Sequence, residues 1–555
     1  MDFYFYNHLV ILLLCIVSLV LVILNFLHFT HMFQLNGYNA GTQMKWYGKN
    51  IVKLLGRLCV SFKLLLFLPV SIFYLYDEFS QWFFDMWDIL FYIFLAISII
   101  FSLPKKSKKK LVFTPRVIRM MLTSALIFLG LFFAIYNITI MCFYQEYLTV
   151  HYYLTYNEFL EYCYFDFICE SLLWSLFFTP FIIILANFIN KPIEKFINNH
   201  YINDAKRIID SHKNLITIGI TGSYGKTSTK YYLNELLSVK YNVLMTPESY
   251  NTTMGVVKTV RNSLSAMHEV FVCEMGAKRA GEIKEICDIV NPKHSLIASI
   301  GEQHLESFKS IENIIKTKFE IADAITDGQV FLNYNNEHIR NHNIDKNKIT
   351  YGIGDGKNYY ADNIKISEKG TSFVLNIGNE SEKFETALIG EHNVENIVGA
   401  IAIAHFMGIS LSELYLTVKR LKPVPHRMEL ISSGSRVIID DSFNSNPIGA
   451  KAALEMLKMF EGLRFLLTPG MVELGGREFK LNKELGEKAA DCCDYAVLIG
   501  EKQAIPIAEG LKEKGFPADR IYIVKSLIDG MSYVDSIVSD GKKIILLEND
   551  LPDNY

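Results

Sequence analysis

The stretch "TIGITGSYGKTSTKYYLNELL", Thr217 to Leu237, joins a short apolar run to a helix-forming run through Gly222 and Gly225. The apolar part reads as a buried parallel strand and the part after Lys226 as a helix. Between them the two glycines allow the backbone to wrap around phosphate oxygens and to present N–H donors. Lys226 supplies a cation to the β- and γ-phosphates, the Thr227 hydroxyl can ligate Mg²⁺, and the helix contributes its positive N-terminal end. Ser223, Tyr224 and Ser228 complete the loop. The longer form of such loops begins with a glycine five residues before the second one, where this chain has Ile220. A chance Gly-Lys-Thr turn is the competing reading. A β-run directly before and a helix directly after argue against it, so the stretch predicts an ATP site with Mg²⁺.

Outward from this loop the chain divides. With 555 residues it exceeds one ordinary domain. The net charge of −3 gives no bulk field for nucleic acid or an acidic partner. Half of the residues are hydrophobic, and the excess lies almost wholly before Lys191. None of the nine cysteines forms a Cys-x-x-Cys pair or a zinc-like spacing; Cys163 and Cys169 fall in one predicted outer segment, where a pair is conceivable.

Residues 1–200 read as a transmembrane region. Segments near Phe5–Leu27, Leu58–Tyr76, Met86–Leu103, Met120–Phe143 and Ser171–Ile189 are each apolar enough to cross a hydrocarbon core, which takes about 20 helical residues. The first lacks a basic start and a small-residue cleavage site, and is expected to be retained. Lys45, Lys49, Lys53 and Arg57, then Lys105, Lys106, Lys108, Lys109 and Lys110, then Lys191 and Lys195 alternate with loops holding Asp77, Glu78, Glu158, Glu161 and Asp166. The alternation predicts a multi-pass cell-membrane protein with its N-terminus outside and its C-terminal bulk in the cytoplasm. Lys63 lies inside the second span, from which it can snorkel, and Asp88 near the outer end of the third. No charged cluster deep in the spans marks a transport path, so the region reads as an anchor in contact with membrane lipids, with a lipid-substrate surface as the alternative.

From about Asn203 the pattern is that of an α/β protein. "NLITIGI", "EVFVCEM" and "HSLIASI" are strand candidates; Gln329 to about Leu388 suggests a small antiparallel sheet; "SRVIIDDS", "RFLLTPG", "YAVLIG" and "KIILLE" form a second series after Pro423. The expected domains are an ATP-binding central domain, 201–422, and a Rossmann-like C-terminal domain, 423–555.

The short loop Gly-x-x-Gly-Lys-Thr resembles that of the Mur ligases, ATP-dependent amide ligases of cell-wall precursor synthesis. "TPESYNTTMGVVKTV" (Thr246–Val260), "CEMGAKRAGEI" (Cys273–Ile283), "SIGEQHLESF" (Ser299–Phe308), "LIGEHNVENIVGAIAIA" (Leu388–Ala404), "PVPHRMEL" (Pro423–Leu430) and "IIDDSFNSNPIGAKAAL" (Ile438–Leu454) follow in the family's order. The likeness runs from about Leu215 to Ile499 and is greatest to the MurF type, which adds D-alanyl-D-alanine to a UDP-muramoyl tripeptide.

That resemblance implies a reaction in two steps. A substrate carboxylate attacks the γ-phosphate of ATP to give an acyl phosphate and ADP; an amine then displaces phosphate and forms the amide. It also implies roles for individual residues, each of which has an ordinary structural alternative. Thr227, Glu274, His304 and Lys318 would serve the metal sites, Lys318 as a lysine carbamylated by CO₂, with Lys316 a near alternative in register. Bare Glu274 is a solvated strand end, His304 a structural histidine and Lys318 a surface lysine beside a glutamate. Asn251, Thr252 and Thr253 would lie near the transferred phosphate and the activated carboxylate. His392, Asn393 and Asn396 would lie near adenine, Arg427 at the phosphates, Asp441 at the ribose, and Asn444 and Asn446 in the adjoining loop; without the resemblance these are a polar helix start and turn residues. The C-terminal groups are expected to meet ATP when the last domain closes.

Two departures stand out. Nothing before Leu215 resembles the small domain that grips UDP in the family, and the chain ends "ILLENDLPDNY" where the MurF type has a basic, Gly-rich segment. The expected function is a membrane-anchored ligase joining an amino acid or dipeptide to the carboxylate of a cell-wall precursor. A polymer ligase of the poly-γ-glutamate kind and a membrane ATPase or nucleotide-binding scaffold without ligase activity are the alternatives.

Overall fold

The computed structural model describes residues 2–59, 81–103, 109–150, 156–443 and 445–550. It comprises a first unit ending at Ile197 and a second running from Asn198 to Leu551.

Helices Asp2–Leu35, Gln81–Ser102, Pro115–Val150 and Tyr156–Ser211 cover four of the segments expected to be spans, the last helix continuing beyond Ile197. The span expected at Leu58–Tyr76 lies outside the described residues except for its first two. Among the described residues, three stretches are long and apolar enough to cross a membrane: Leu12–Leu35, Pro115–Met141 and Ser171–Ser211; Tyr92–Ser102 is apolar but shorter. The Cys163 and Cys169 side chains are outside the described residues.

The longest helix continues through Pro180 and Pro192. Proline has no N–H, so Pro180 leaves the Leu176 carbonyl without its usual helical donor. The Thr179 hydroxyl takes that carbonyl at 2.8 Å, and Tyr47 donates its hydroxyl to the Pro180 carbonyl at 3.0 Å. Arg119 and Glu194 form an ion pair at 2.8 Å between two helices of this unit. Such pairing is how charge is kept inside an apolar bundle.

The second unit holds two sheets. The larger has strands β1 (Ile216–Thr221), β2 (Val243–Met245), β3 (Val270–Glu274), β4 (His294–Ile297), β5 (Val330–Asn333), β6 (Lys348–Ile353), β7 (Tyr359–Ser367), β8 (Gly370–Ile377) and β9 (Glu380–Thr386) in the order β2-β3-β1-β4-β5-β6-β7-β8-β9. Pairing is parallel through β7 and antiparallel from β7 to β9. Of the segment expected to form an antiparallel sheet, Gln329 to about Leu388, only β7–β9 pair that way; β5 and β6 are parallel, and the whole extends the main sheet instead of standing apart. Alternate residues of the parallel strands feed two cores. Ile218, Ile220, Val270, Val272 and Leu296 face one, and Phe271, Cys273, Ile297, Val330 and Leu332 the other. Both faces are covered, which is why these strands read as unbroken apolar runs.

The second sheet has β10 (Glu429–Ser433), β11 (Arg436–Asp441), β12 (Leu463–Thr468), β13 (Tyr495–Ile499), β14 (Ile521–Val524) and β15 (Lys543–Glu548) in the order β10-β11-β15-β12-β13-β14. Only β10 runs antiparallel to its neighbour.

Candidate active site

In the larger sheet β1 lies between β3 and β4, so the connection from β1 to β2 runs to one side of β1 and that from β3 to β4 crosses to the other. An open parallel sheet has its binding crevice at the carboxyl ends of strands where this reversal occurs. The loop after β1 carries Gly222–Lys226, β3 ends on Glu274, and the loop after β4 carries Ser299–His304. The phosphate loop is stitched to the third of these. Ser223 N donates to Ser299 O at 2.6 Å, Ser223 Oγ donates to Gly301 O at 2.9 Å, and the Tyr224 hydroxyl donates to Glu302 O at 2.9 Å. Gly225 is left-handed at φ 78°, and a Cβ there would meet Asn396 Oδ1 at 2.5 Å. Only glycine meets both conditions.

The helix Lys226–Leu237 starts directly from this loop, with Ser228 in its first turn. Lys226 bends back on its own loop, donating to Gly222 O at 2.7 Å and Ser223 O at 3.1 Å. Burial draws its pKa down to about 8, against the opposing pull of Glu274. Glu274 is 1% exposed. Its Oε1 accepts from the Thr227 hydroxyl at 3.1 Å and from Asn251 Nδ2 at 3.0 Å. Burial pushes this carboxyl upward, but Lys230, Lys226 and Asn251 together outweigh burial and hold it below the ordinary range. Arg427 donates to Thr227 Oγ1 at 3.2 Å. One carboxylate thus faces Lys226, Lys230 and Arg427, leaving an excess of positive charge suited to a polyphosphate. Thr227 and Glu274 supply the hard oxygen donors that Mg²⁺ prefers, beside the loop where phosphates would lie. This donor set fits the ion.

His304 and Glu473 are joined by a hydrogen bond from the loop after β12 to the loop after β4. Lys278 reaches Glu473 at 3.4 Å, and Arg477 pairs with Glu302. His304 and Glu473 both have left-handed backbones, φ 53° and 63°. For non-glycine residues this costs of order 1–3 kcal/mol each, a strain that marks functional loops. Burial lowers the His304 pKa, with Glu473 opposing.

Lys318, on the helix Ile311–Asp323, is 2% exposed. Burial, then the nearby Lys226, pulls its pKa well below the lysine range. The surface-lysine alternative does not describe it.

The other expected residues spread around this centre. Asn396 Oδ1 accepts from Thr229 at 3.2 Å, and Asn393 Oδ1 from the Tyr232 hydroxyl at 2.8 Å. His392 lies in the first turn of the helix Glu391–Phe406, where burial lowers its pKa to about 4. Thr252 caps the helix Thr253–Ser263, Thr253 donates to Glu285 at 2.8 Å, and Asn446 caps the helix Pro447–Met459. These last three side chains carry helix-end and packing roles here. Asn444 lies outside the described residues.

Asp441 and Glu548 are register partners on β11 and β15. Asp441 accepts from Met428 N at 3.2 Å, and Glu548 accepts from Ser445 Oγ at 2.5 Å. Burial, opposed by Arg427, raises Asp441 to about 6, and burial with Asp441 raises Glu548 well above the carboxylate range. An acid whose folded pKa is raised stabilises the fold fully below its unfolded pKa, near 4, and that contribution is lost as pH rises through about 6. Asp441→Asn is therefore expected to be more stable than the native protein at pH 7.5 by about 1–3 kcal/mol. The gain should shrink toward zero by about pH 4, read as Tm against pH.

Lys230, Glu473 and Glu548 escaped the sequence reading. The signal for Lys230 was present: with Lys226, Leu233 and Leu237 it lies on the inward stripe of one helix, where a lysine needs an explanation.

Residues 220–404 match the Mur ligase middle domain, and residues 426–547 match the Mur ligase, glutamate ligase domain. The chain is 32% identical over 332 residues to a UDP-N-acetylmuramoyl-tripeptide--D-alanyl-D-alanine ligase of Bacillus subtilis, covering 59% of this chain and 72% of that protein. The chain belongs to the Mur ligase family. The ligase of the same description from Escherichia coli is 30% identical over 339 residues, covering 60% and 75%. Among solved structures, MurF from Acinetobacter baumannii superposes with a TM-score of 0.57 at 24% identity, covering 63% of this chain and 77% of that one. MurF ligase from Thermotoga maritima in complex with ADP superposes at 0.56 and 23% identity, covering 64% and 80%. These two establish the shared fold. The family assignment makes this chain an ATP-dependent ligase forming carbon–nitrogen bonds.

Proposed function

We propose that this is a membrane-anchored MurF-like ligase that activates the carboxylate of a cell-wall precursor as an acyl phosphate and joins it to an amine such as that of D-alanyl-D-alanine. The observation that carries the reading is the meeting of Thr227 and Asn251 on Glu274, with Arg427 on Thr227, at the mouth of the phosphate loop. The relatives' acceptor and amine supply the substrate class, and the apolar helices supply the anchor.

Lys226 and Arg427 would neutralise the phosphate oxygens as the acceptor carboxylate approaches, a step governed by positioning and electrostatics. Thr227 and Glu274 would hold Mg²⁺, with His304 and a modified Lys318 at a second position; the ion offsets phosphate charge. Asn251, fixed against Glu274, would orient the transferring group. The loop of Glu473 and Arg477 contacts Glu302 and His304, and would help to exclude water from an acyl phosphate.

A buried lysine held neutral is a nucleophile for CO₂. Its nitrogen bonds the carbon and loses a proton to solvent, and the resulting carbamate anion would lie near Lys226.

The test uses full-length protein in detergent with acid and amine pairs, reading ADP release and new amide by mass spectrometry. ADP formation that depends on a muramoyl tripeptide, with an amide on adding D-alanyl-D-alanine, is the expected result. No acid-dependent ADP from any cell-wall precursor would sink the reading. Lys318→Ala should lose about 10²-fold in rate, as when one stabilising group is removed, and regain part of it with acetate or formate. Undiminished activity would remove the carbamate from the proposal.

A further inference from the structure

We propose that Lys230 is a positioning residue that keeps Glu274 from capturing a divalent cation before nucleotide arrives, so that the metal enters only with its phosphates. The inference rests on the reading of Glu274 as a metal ligand.

Lys230 is fully buried, and no solvent screens its charge. Its ammonium lies 3.1 Å from Glu274 Oε2 and donates to the Glu248 carbonyl at 2.5 Å. Lys230 therefore meets Glu274 Oε2 as an ion pair while giving one of its three N–H donors to Glu248. The two carboxylate oxygens therefore differ. Oε1 faces Thr227 and Asn251 at the loop mouth; Oε2 is closed off by a cation. A bare divalent ion approaching Oε1 meets Lys230 behind the carboxylate and Lys226 and Arg427 around it. A nucleotide brings enough negative charge to reverse that balance.

The second contact has its own role. Glu248 is left-handed at φ 41°, in the segment between β2 and Asn251. Tying its carbonyl to Lys230 connects this strained turn to the helix of the phosphate loop, so the Asn251 amide reaches Glu274 in a fixed orientation.

Mn²⁺ binding to full-length protein, read by electron paramagnetic resonance without turnover, tests the inference. Native protein should bind Mn²⁺ weakly alone and at least about tenfold more tightly with ADP. Lys230→Met should bind Mn²⁺ without nucleotide about tenfold or more tighter than native protein does, because a full charge has been removed a few ångströms from the ion. Lys230→Arg, which keeps the charge, should remain dependent on ADP. Tight Mn²⁺ binding by the native protein alone overturns the inference whatever the variants do, and so does a folded Lys230→Met that binds no better than native. Glu274→Gln separates the two readings. If it binds Mn²⁺ with ADP as well as native protein does, Glu274 is not the ligand and the underlying reading fails; if it loses that binding while Lys230→Met is unchanged, only the role of Lys230 fails.

Discussion

Lys226→Met is expected to slow acid-dependent ADP formation by roughly 10²–10³-fold, the usual loss when one preorganised charge at a transferring group is removed. The fold should not suffer with it. Lys226 hydrogen-bonds to carbonyls of its own loop, Gly222 and Ser223, and Glu274, the carboxylate it faces, keeps Lys230 beside it, so native near-ultraviolet circular dichroism is the accompanying expectation. The proton count gives a sharper signature. With its pKa drawn down to about 8 by burial, part of the native Lys226 is neutral at pH 8.5 in the free protein. Phosphates beside the nitrogen favour the charged form, so ATP binding at that pH should take up a fraction of a proton. Calorimetry in buffers of different ionisation enthalpy reads this uptake directly, and Lys226→Met should reduce it. An unchanged rate and unchanged proton uptake would place Lys226 outside the site.

How much of this was legible in the sequence follows from what each signal measures. The strand–loop–helix at Thr217–Leu237 was legible because local pattern and local geometry coincide. Ile218 and Ile220 must be buried, Gly225 must be left-handed, and neither depends on distant chain. Glu274 was found at a strand end, but its surroundings were not, since Thr227, Lys230 and Asn251 meet it only after β1 and β3 pair. From sequence Lys318 reads as either a modified or a surface lysine. Its burial comes from packing of the helix Ile311–Asp323, which spacing alone does not reveal. The contact of Glu473 with His304 joins residues 169 apart through two left-handed turns, and no periodicity carries such information. The β7–β9 segment shows the opposite error. Its alternating pattern was read correctly as antiparallel, yet pattern is silent on whether a strand adds to an existing sheet or begins another.

Glu274→Gln tests the centre of the site through stability as well as rate. The substitution keeps shape and leaves an acceptor for Thr227 and Asn251, but it strips the counter-charge from Lys230, which is fully buried. Breaking one partner of a buried pair costs about 3–5 kcal/mol. That loss should appear as a lowered Tm at pH 7. The sign with pH is fixed, because the folded Glu274 carboxyl is held below its ordinary value. Its contribution is present above the unfolded pKa and lost as pH falls through the folded one. The gap between native and variant Tm should therefore narrow below about pH 4. Phosphate anions should act the other way. With the Glu274 charge gone from beside Lys226, Lys230 and Arg427, ADP or pyrophosphate without metal should raise the Tm of Glu274→Gln more than that of native protein. Rate should fall by roughly 10²-fold or more, with the Mg²⁺ concentration for half-maximal activity rising. A merely structural glutamate predicts the lowered Tm without the change in Mg²⁺ dependence. The split between those two measurements therefore decides whether the carboxylate at the end of β3 serves the chemistry or only the fold.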